Sequence, residues 1–243
     1  MVDDYLKWVS RSEYVLYPLF LEPDLVGGLH TVRYEALLSL GERYYGPTPV
    51  VYQEIEFQFA RLTEVKKQLN GLLALASRPG DEILVYDTNS LMHYQPPNRI
   101  KWSEVAPRAA LARVVVPLCV IYELDQKAYT GSEKMAGRAK AAVKALREIT
   151  GEAKAGQPTP LVQPDTRASL GATLEVLLEE SGHQRLPQID DEIIDRALLL
   201  KGITNKPVSV ITHDMNMSLR ADAAELETVE LPTAYMKDRS NHG

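Results

Sequence analysis

The chain has 243 residues, of which 45% are hydrophobic and 25% are charged, and its formal net charge is −6. This length is sufficient for one medium-sized domain with its own core plus an extension, and the composition is that of an ordinary globular protein. The negative net charge argues against a protein that binds nucleic acid over its whole surface, although it allows a local basic patch. No apolar run approaches the roughly 20 residues that a membrane-spanning helix requires, so we expect no membrane association.

The cysteine content and the first residues bear on the compartment. Cys119 is the single cysteine, which excludes an intrachain disulfide and favours a reducing compartment. The opening sequence MVDDYLKWVSRSEY has no basic segment followed by a long apolar one, as a signal peptide would have. We therefore expect a cytoplasmic protein.

Residues 1–80 are predicted to form an all-helical N-terminal region. Shorter helices are expected around 3–17 and 29–43, and the clearest helix runs from about residue 50 to residue 76. Its apolar residues recur at spacings of three, four or seven and form one helical stripe: Val51, Ile55, Phe59, Leu62, Leu69, Leu72 and Ala76. Such a stripe is typical of a docking or dimerisation face, so this region is expected to bind a second copy or a protein partner.

Residues 81–236 are predicted to form a separate α/β domain, because the turn-forming sequence at 78–81 is followed by strands that alternate with helices. This alternation predicts a mainly parallel central sheet flanked by helices. The tail, residues 237–243, is expected to be frayed. The predicted strands lie at 82–86, 113–118, 160–163, 172–178, 207–212 and 228–231.

The helices of this domain are predicted from their caps and apolar spacing. One helix carries Glu123, and another begins after the N-cap Ser132 and runs to about residue 150. Asp190 is assigned as the N-cap of a helix that runs to about residue 201, with Gly202 just past its end. A short helix is expected to begin near Met217.

Four carboxylates lie where such a sheet would bring them together. Asp87 ends the first strand, Glu123 lies on the helix after the second, Asp191 lies in the first turn of a later helix, and Asp214 follows the fifth strand. Sites in open α/β sheets form at the carboxyl ends of the strands. Grouped carboxylates raise one another's pKa, and Mg²⁺ or Mn²⁺, which prefer oxygen ligands, removes that repulsion. Each acid alone is as easily explained as a cap, turn or solvated residue.

Four segments carry a resemblance to a known family. Residues 85–90 (VYDTNS), 116–125 (VPLCVIYELD), 190–197 (DDEIIDRA) and 210–214 (VITHD) resemble, in order, the four acidic motifs of PIN-domain nucleases. The resemblance covers about residues 82–231. It implies a parallel sheet flanked by helices, dependence on Mg²⁺ or Mn²⁺, and usually endoribonuclease activity that leaves 5′ phosphate and 3′ hydroxyl ends.

The resemblance also assigns roles to single residues. The matched acids, expected to be catalytic and to bind metal, are Asp87, Glu123, Asp191 and Asp214. Asn89 and Thr212 match supporting polar positions, whereas His213 replaces the more usual Asn or Asp and is another candidate for contact with the site. Asp195 adds a fifth carboxylate one helical turn after Asp191, either as a metal ligand or as the partner of a neighbouring arginine.

Basic residues concentrate just after Glu123, where residues 126–155 contain seven basic and three acidic side chains. This concentration predicts a surface that binds the phosphates of RNA, with a solvated helix face as the alternative. Lys127 and Arg138 match basic positions often seen in this branch of PIN domains, and Lys140 and Lys144 share one helical face. These four are the predicted nucleic-acid-binding residues.

The leading interpretation is a divalent-metal-dependent endoribonuclease that acts on single-stranded or structured RNA. A catalytically silent PIN-fold RNA-binding or scaffold protein is the alternative, although the presence of all four acids disfavours it. A toxin ribonuclease is disfavoured by the 80-residue extension. A DNA nuclease stays open, because nothing in the sequence distinguishes ribose from deoxyribose.

Overall fold

The structure, a computed structural model, describes residues 1–17, 27–39, 48–151, 156–161, 171–180 and 182–237. The chain divides into two compact units, Met1–Gly71 and Leu72–Gly243. The division falls within a long helix that ends at Ala76, and the boundary predicted at residue 80 follows the end of that helix.

The described part of the first unit is helical, which confirms the predicted fold class of this region. Its helices are α1 (Val2–Leu16), α2 (Val32–Ser39) and α3 (Thr48–Ala76). Helix α2 begins three residues later than predicted, and its predicted end at residues 40–43 lies outside the described residues. Helix α3 agrees closely with the predicted long helix, and its last residues belong to the second unit.

A small apolar core joins the helices of the first unit, formed by Tyr5, Val9, Leu29, Tyr34, Leu37 and Val51. The buried carboxylate of Glu54 accepts hydrogen bonds from the hydroxyls of Tyr5 (3.1 Å) and Thr31 (2.8 Å). The predicted stripe on α3 therefore does not form a single surface. Val51 faces this core, whereas Ile55 and Phe59 stay exposed.

The second unit contains a six-stranded sheet in the order β3-β4-β2-β1-β5-β6. Five strands are parallel to their neighbours, and β3 is antiparallel to β4, so the predicted mainly parallel sheet is confirmed. The strands are β1 (Glu82–Tyr86), β2 (Leu111–Pro117), β3 (Thr159–Leu161), β4 (Gly171–Leu177), β5 (Val208–Ile211) and β6 (Glu227–Val229).

Helices connect and flank these strands. They are α4 (Thr88–His93), α5 (Trp102–Val105), α6 (Leu118–Thr130), α7 (Glu133–Thr150), α8 (Ile189–Thr204) and α9 (Met215–Ala223). Ser132 occupies the N-cap position of α7, as predicted, although its side chain makes no capping hydrogen bond. Helix α9 begins two residues earlier than predicted, because the Asp214 side chain caps it.

Both ends of α8 differ from the prediction. Asp190 is not the N-cap, because the helix begins at Ile189 after Gln188, which places Asp190 inside the first turn. Gly202 does not end the helix. The chain stays helical to Thr204, and Asn205 then adopts a left-handed conformation with φ 52°, which asparagine tolerates better than most residues.

The interior of the sheet is mostly apolar and contains a buried ion pair. Val114, Val115 and Val116 of β2 are fully buried, as expected for a central parallel strand. Arg113 of β2 donates to the Glu175 carboxylate of β4 at 2.6 and 3.0 Å, and both side chains are fully buried. Arg78 approaches the other oxygen of Glu175 to 2.9 Å. The second guanidinium provides additional compensation for the buried carboxylate.

The end of the described chain is held in place. The Lys237 ammonium donates hydrogen bonds to the carbonyl oxygens of Leu91 (3.1 Å) and Met92 (3.0 Å), near the end of α4. Lys237, the first residue of the tail that was predicted to be frayed, is therefore connected to α4, and residues 238–243 lie outside the described residues. Within the described helices, none is both long enough and apolar enough to cross a membrane.

Candidate metal centre

Asp87 occupies the carboxyl end of β1, in the middle of the sheet. Its side chain is 3% exposed, and it caps α4 by accepting a hydrogen bond from the Ser90 amide (2.6 Å). The other carboxylate oxygen accepts from the Thr212 hydroxyl (2.6 Å). Burial raises the pKa of Asp87 above its ordinary value, against the lowering effect of these hydrogen bonds. The carboxylate is thus fixed in orientation and poorly solvated.

Glu123 lies in α6, which follows β2 directly. The hydroxyl of Thr88 donates to one oxygen of the Glu123 carboxylate. The other oxygen lies 2.9 Å from the ammonium of Lys127, one helical turn further along. Because Thr88 follows Asp87 in sequence, the first residue of α4 orients Glu123 while the residue before it caps the same helix.

Asp214 follows β5, the strand on the other side of β1 from β2. It is exposed, and its carboxylate accepts from the backbone amides of Asn216 (2.8 Å) and Met217 (3.4 Å) at the start of α9. Its own amide donates to the Thr212 hydroxyl oxygen (3.0 Å). Thr212 therefore connects the backbone of Asp214 to the carboxylate of Asp87.

Asp190 belongs to the same acidic group. The side-chain amide of Asn216 donates to its carboxylate at 3.3 Å, while the backbone amide of Asn216 donates to Asp214. Burial is the main cause that raises the pKa of Asp190, and the negative charges of Glu123, Asp214 and Asp87 raise it further, partly offset by Arg220. These charges act on Asp190 because the four carboxylates lie near one another at this edge of the sheet, although they do not form a cluster in which all ligand atoms are within 4.8 Å of one another.

Asp191 has a different environment from its neighbour. Its carboxylate forms an ion pair with Arg220 of α9, and the same guanidinium donates to the Gln188 side chain at 2.9 Å. The sequence analysis assigned the cap to Asp190 and the site to Asp191. The hydrogen bonds and repulsive charges described above instead connect Asp190 to Asp87, Glu123 and Asp214.

Asp195 is engaged by an arginine, the second of its two predicted environments. Ligand atoms of His183, Glu192 and Asp195 lie within 4.8 Å of one another, as in a metal site. The Arg196 guanidinium contacts all three, at 3.2 Å from His183, 3.4 Å from Glu192 and in an ion pair with Asp195. A guanidinium in this position supplies the positive charge that a metal would bring, so this cluster is a structural ion-pair network.

His213 directly precedes Asp214 in the chain, but its ring contacts neighbouring residues outside the acidic group. Its ring stacks on Tyr94 with centroids 4.4 Å apart, and its Nε2 accepts a hydrogen bond from the Leu231 amide (3.1 Å). Its Nδ1 lies 3.7 Å from the Glu230 carboxylate. These contacts assign His213 to the support of the loop that carries Asp214. Asn89 is exposed beside this loop.

The predicted basic residues fall into two groups. Lys127 pairs with Glu123, and Arg138 contacts Nδ1 of His93 at 2.9 Å. Burial lowers the pKa of His93, and the charges of Arg138, Lys237 and Lys127 lower it further. Lys140 and Lys144 are exposed on α7, where Lys144 lies 3.8 Å from Glu148. The first group therefore lies beside the acidic site, and the second lies on the exposed side of α7.

The sequence analysis did not assign Thr88, Asp190, Asn216 or Lys237 to the site or its surroundings. Thr88 had a usable signal, because it directly follows the first acid and is the first residue of α4. Asp190 could have been kept beside Asp191 as an equal candidate. Lys237 lay in a segment without periodicity, so no local pattern indicated its contacts with α4.

The donor set fits a hard divalent cation. The converging groups are carboxylates, which are the ligands that Mg²⁺ and Mn²⁺ prefer. Burial raises the pKa of Asp190; Arg220 opposes this effect, and the negative charges of Glu123, Asp214 and Asp87 add to it. A divalent ion among these groups would relieve both the repulsion and the loss of solvation.

Comparison with protein families gives a match within the second unit. Residues 84–232 match the family model described as "PIN domain". Among curated proteins, none matches the chain. Of the solved structures, one similar chain is a domain of a functionally unknown protein from Methanocaldococcus jannaschii, with 19% identity, a TM-score of 0.37, and coverage of 62% of this chain and 91% of that one.

Proposed function

Since its residues 84–232 match the PIN domain, the chain belongs to the PIN domain family, and we propose that it is a divalent-metal-dependent endoribonuclease. PIN domains are generally nucleases. One observation carries the proposal: three neighbouring polar residues orient the carboxylates of Glu123, Asp87, Asp214 and Asp190 at one edge of the sheet. Thr88, which follows Asp87 in the chain, donates to Glu123. Thr212 donates to Asp87 and accepts from the Asp214 amide, and Asn216 donates to both Asp214 and Asp190.

The proposed metal ligands are Asp87, Glu123, Asp190 and Asp214. Each is held by a donor from a neighbouring element, so their geometry is largely set before a cation binds. Asp87 keeps one hydrogen bond on each oxygen, which leaves further lone pairs for a cation. Asp191, the acid matched by the family motif, would act through Arg220 and the start of α8.

A bound Mg²⁺ or Mn²⁺ would supply Lewis-acid chemistry, lowering the pKa of a water and offsetting the charge of the phosphodiester. The chain's own groups orient the substrate. Lys127 balances the charge of Glu123 and is placed to contact a phosphate oxygen. Arg138 beside His93 adds a second positive group. The exposed Lys140 and Lys144 would extend the track for the RNA backbone along α7.

The proposal is tested with Asp87→Asn. The amide keeps the size of the side chain but removes its negative charge, so Mn²⁺-dependent cleavage of RNA should fall by at least 10²-fold, on the order of 3 kcal/mol in the barrier. Cleavage of single-stranded RNA, structured RNA and single-stranded DNA is measured with Mn²⁺, Mg²⁺ and EDTA. Circular dichroism checks that the variant is folded.

Asp222→Asn is the matched control, because Asp222 is an exposed aspartate near the far end of α9 from Asp214. It should cleave like the wild type. Undiminished cleavage by Asp87→Asn would refute the proposed site. Binding of RNA without cleavage by the wild type, under all metal conditions, would instead support the silent RNA-binding alternative. A preference for DNA would refute the ribonuclease assignment but not the metal site.

A further inference from the structure

Helix α3 carries a heptad repeat on the side that does not face the core of the first unit. Eight positions alternate at spacings of three and four, which is the a and d pattern of a coiled coil. We call them the α3 seam: Tyr52, Ile55, Phe59, Leu62, Lys66, Leu69, Leu73 and Ala76. The buried positions Val51, Glu54 and Gln58 lie beside the seam and face α1 and α2.

The seam is apolar but open to solvent. The exposed fractions are 56% for Tyr52, 41% for Ile55, 74% for Phe59, 40% for Leu69 and 65% for Leu73. A contiguous exposed patch of this kind marks an interaction surface in a stable protein.

A groove accompanies the N-terminal half of the seam. It has a volume of about 930 Å³ and lies between α1 and α3, where Tyr5 and Trp8 face Ile55, Phe59 and Leu62. Its walls are helices and its floor is apolar. The groove and the repeat together fit an α-helix better than an extended or irregular segment.

We propose that the α3 seam of a second copy of this chain covers this surface in an antiparallel two-helix arrangement. A seam with strict a and d spacing is complementary to another with the same repeat, and a second copy has the same length by construction. With full overlap, each a position faces a d position of the partner. Tyr52 then faces Ala76, whereas Ile55 faces Leu73 and Phe59 faces Leu69, so these layers of the seam are apolar.

Lys66 determines the orientation. In a parallel pair, both copies of Lys66 would occupy the same layer, and two ammonium groups would face each other in an apolar seam. In the antiparallel pair, each Lys66 lies opposite Leu62 of the other copy, and the two lysines are about 6 Å apart along the axis. Each ammonium group can then extend past the seam into solvent.

The buried area is sufficient for a stable dimer. The seam extends over about 36 Å of helix. Roughly 100 Å² for each of the six large apolar side chains, with a contribution from Trp8, gives on the order of 600–800 Å² per copy. Specific interfaces bury about 800 Å² per partner, so a dissociation constant in the micromolar range or below is expected.

Sedimentation equilibrium of the full chain tests the proposal. The wild type should be dimeric above about 10 µM, and Phe59→Glu should raise the dissociation constant by at least 10²-fold, because it places a carboxylate inside the seam. Phe57→Glu is the matched control. Phe57 is 48% exposed on the same helix but outside the seam, so its substitution should leave the dimer unchanged. Lys66→Leu should tighten the dimer about tenfold.

The orientation is tested separately with engineered cysteines under oxidising conditions. Ile55→Cys combined with Leu73→Cys should form an intermolecular disulfide, whereas Lys66→Cys alone should not. Cross-linking through Lys66→Cys alone would overturn the antiparallel geometry. A wild type that is monomeric at 100 µM, or equal effects of the two phenylalanine substitutions, would overturn the proposal. Circular dichroism verifies that each variant keeps its helical content.

Discussion

Asp190 and Asp191 are adjacent in sequence, yet the same substitution should change stability in opposite directions. The Asp190→Asn substitution removes a negative charge that is repelled by the carboxylates of Glu123, Asp214 and Asp87. The gain is reduced because Asp190 is partly exposed and Arg220 already offsets some of the repulsion, which leaves about 0.5 kcal/mol after solvent screening. For a domain of this size, the metal-free midpoint should rise by about 1–2 °C.

In Asp191→Asn, an ion pair is lost instead. The Asp191 and Arg220 side chains are 43% and 31% exposed, so the pair contributes about 0.2–1 kcal/mol, and its loss should lower the midpoint by about 1–3 °C. Thermal unfolding in EDTA at pH 7 measures both effects. Shifts of the same sign in the two variants would refute the assignment of Asp190, and not Asp191, to the acidic group.

The pH dependence of the unfolding free energy provides a second test of the same assignment. Burial and acidic neighbours raise the folded-state pKa of Asp190 above 3.8, so the folded state binds the proton more tightly than the unfolded state does. The destabilisation caused by the Asp190 charge is absent below the pKa of this group in the unfolded state. It is fully present above its pKa in the folded state. The advantage of Asp190→Asn should therefore shrink as the pH falls towards 3.8. Saturating Mn²⁺ should reverse the order, because a cation at 100 times its dissociation constant stabilises the wild type by about 2.7 kcal/mol.

Two further predictions concern residues that orient the site. Thr88→Val should lower cleavage by at least tenfold with little loss of stability, because Glu123 loses its hydroxyl donor. Thr88→Ser keeps a hydroxyl and should retain activity. Equal activity of the two variants would contradict the role of the Thr88 hydroxyl in orienting Glu123. Burial and Arg138 lower the pKa of Lys237 from 10.5 to about 8. Between these values the unfolded state binds more protons, so wild-type stability relative to Lys237→Met should rise from pH 8 to pH 10.5 in urea titrations. A flat difference would show that the ammonium is well solvated.

The strands that carry the site were predictable because their signals are local. Residues 82–86 are a short apolar run that ends at an aspartate, and β1 has those same bounds. The order of the acids along a parallel sheet then placed Asp87 and Asp214 at one edge, since the carboxyl ends of parallel strands share an edge.

The choice between Asp190 and Asp191 required the structure. Successive helical residues point about 100° apart, so the two carboxylates face different neighbours, and an error of two residues in the predicted helix start changes which of them is expected at the site. The sequence analysis placed the start after Asp190, whereas the helix begins at Ile189. Both acids fit the motif, and only the positions of Asn216 and Arg220 on another helix distinguish them.

The same limit applies to α3. Its apolar spacing predicted a helix correctly, but spacing cannot tell a face that packs within its own unit from one that stays open. Val51 and Ile55 were assigned to one stripe, yet the first is fully buried and the second is exposed. Which face of α3 is buried depends on where α1 and α2 pack against it, and the spacing of apolar residues does not contain that information.

The buried pair between Arg113 and Glu175 has a consequence for how the sheet assembles. The two residues lie on neighbouring strands, β2 and β4, separated by 62 positions in the chain. A slip of one residue would turn Glu175 to the opposite face and leave two charges buried without partners, at a cost of several kcal/mol. Misaligned intermediates are thereby penalised, so productive association of β4 should be a late and cooperative event in folding.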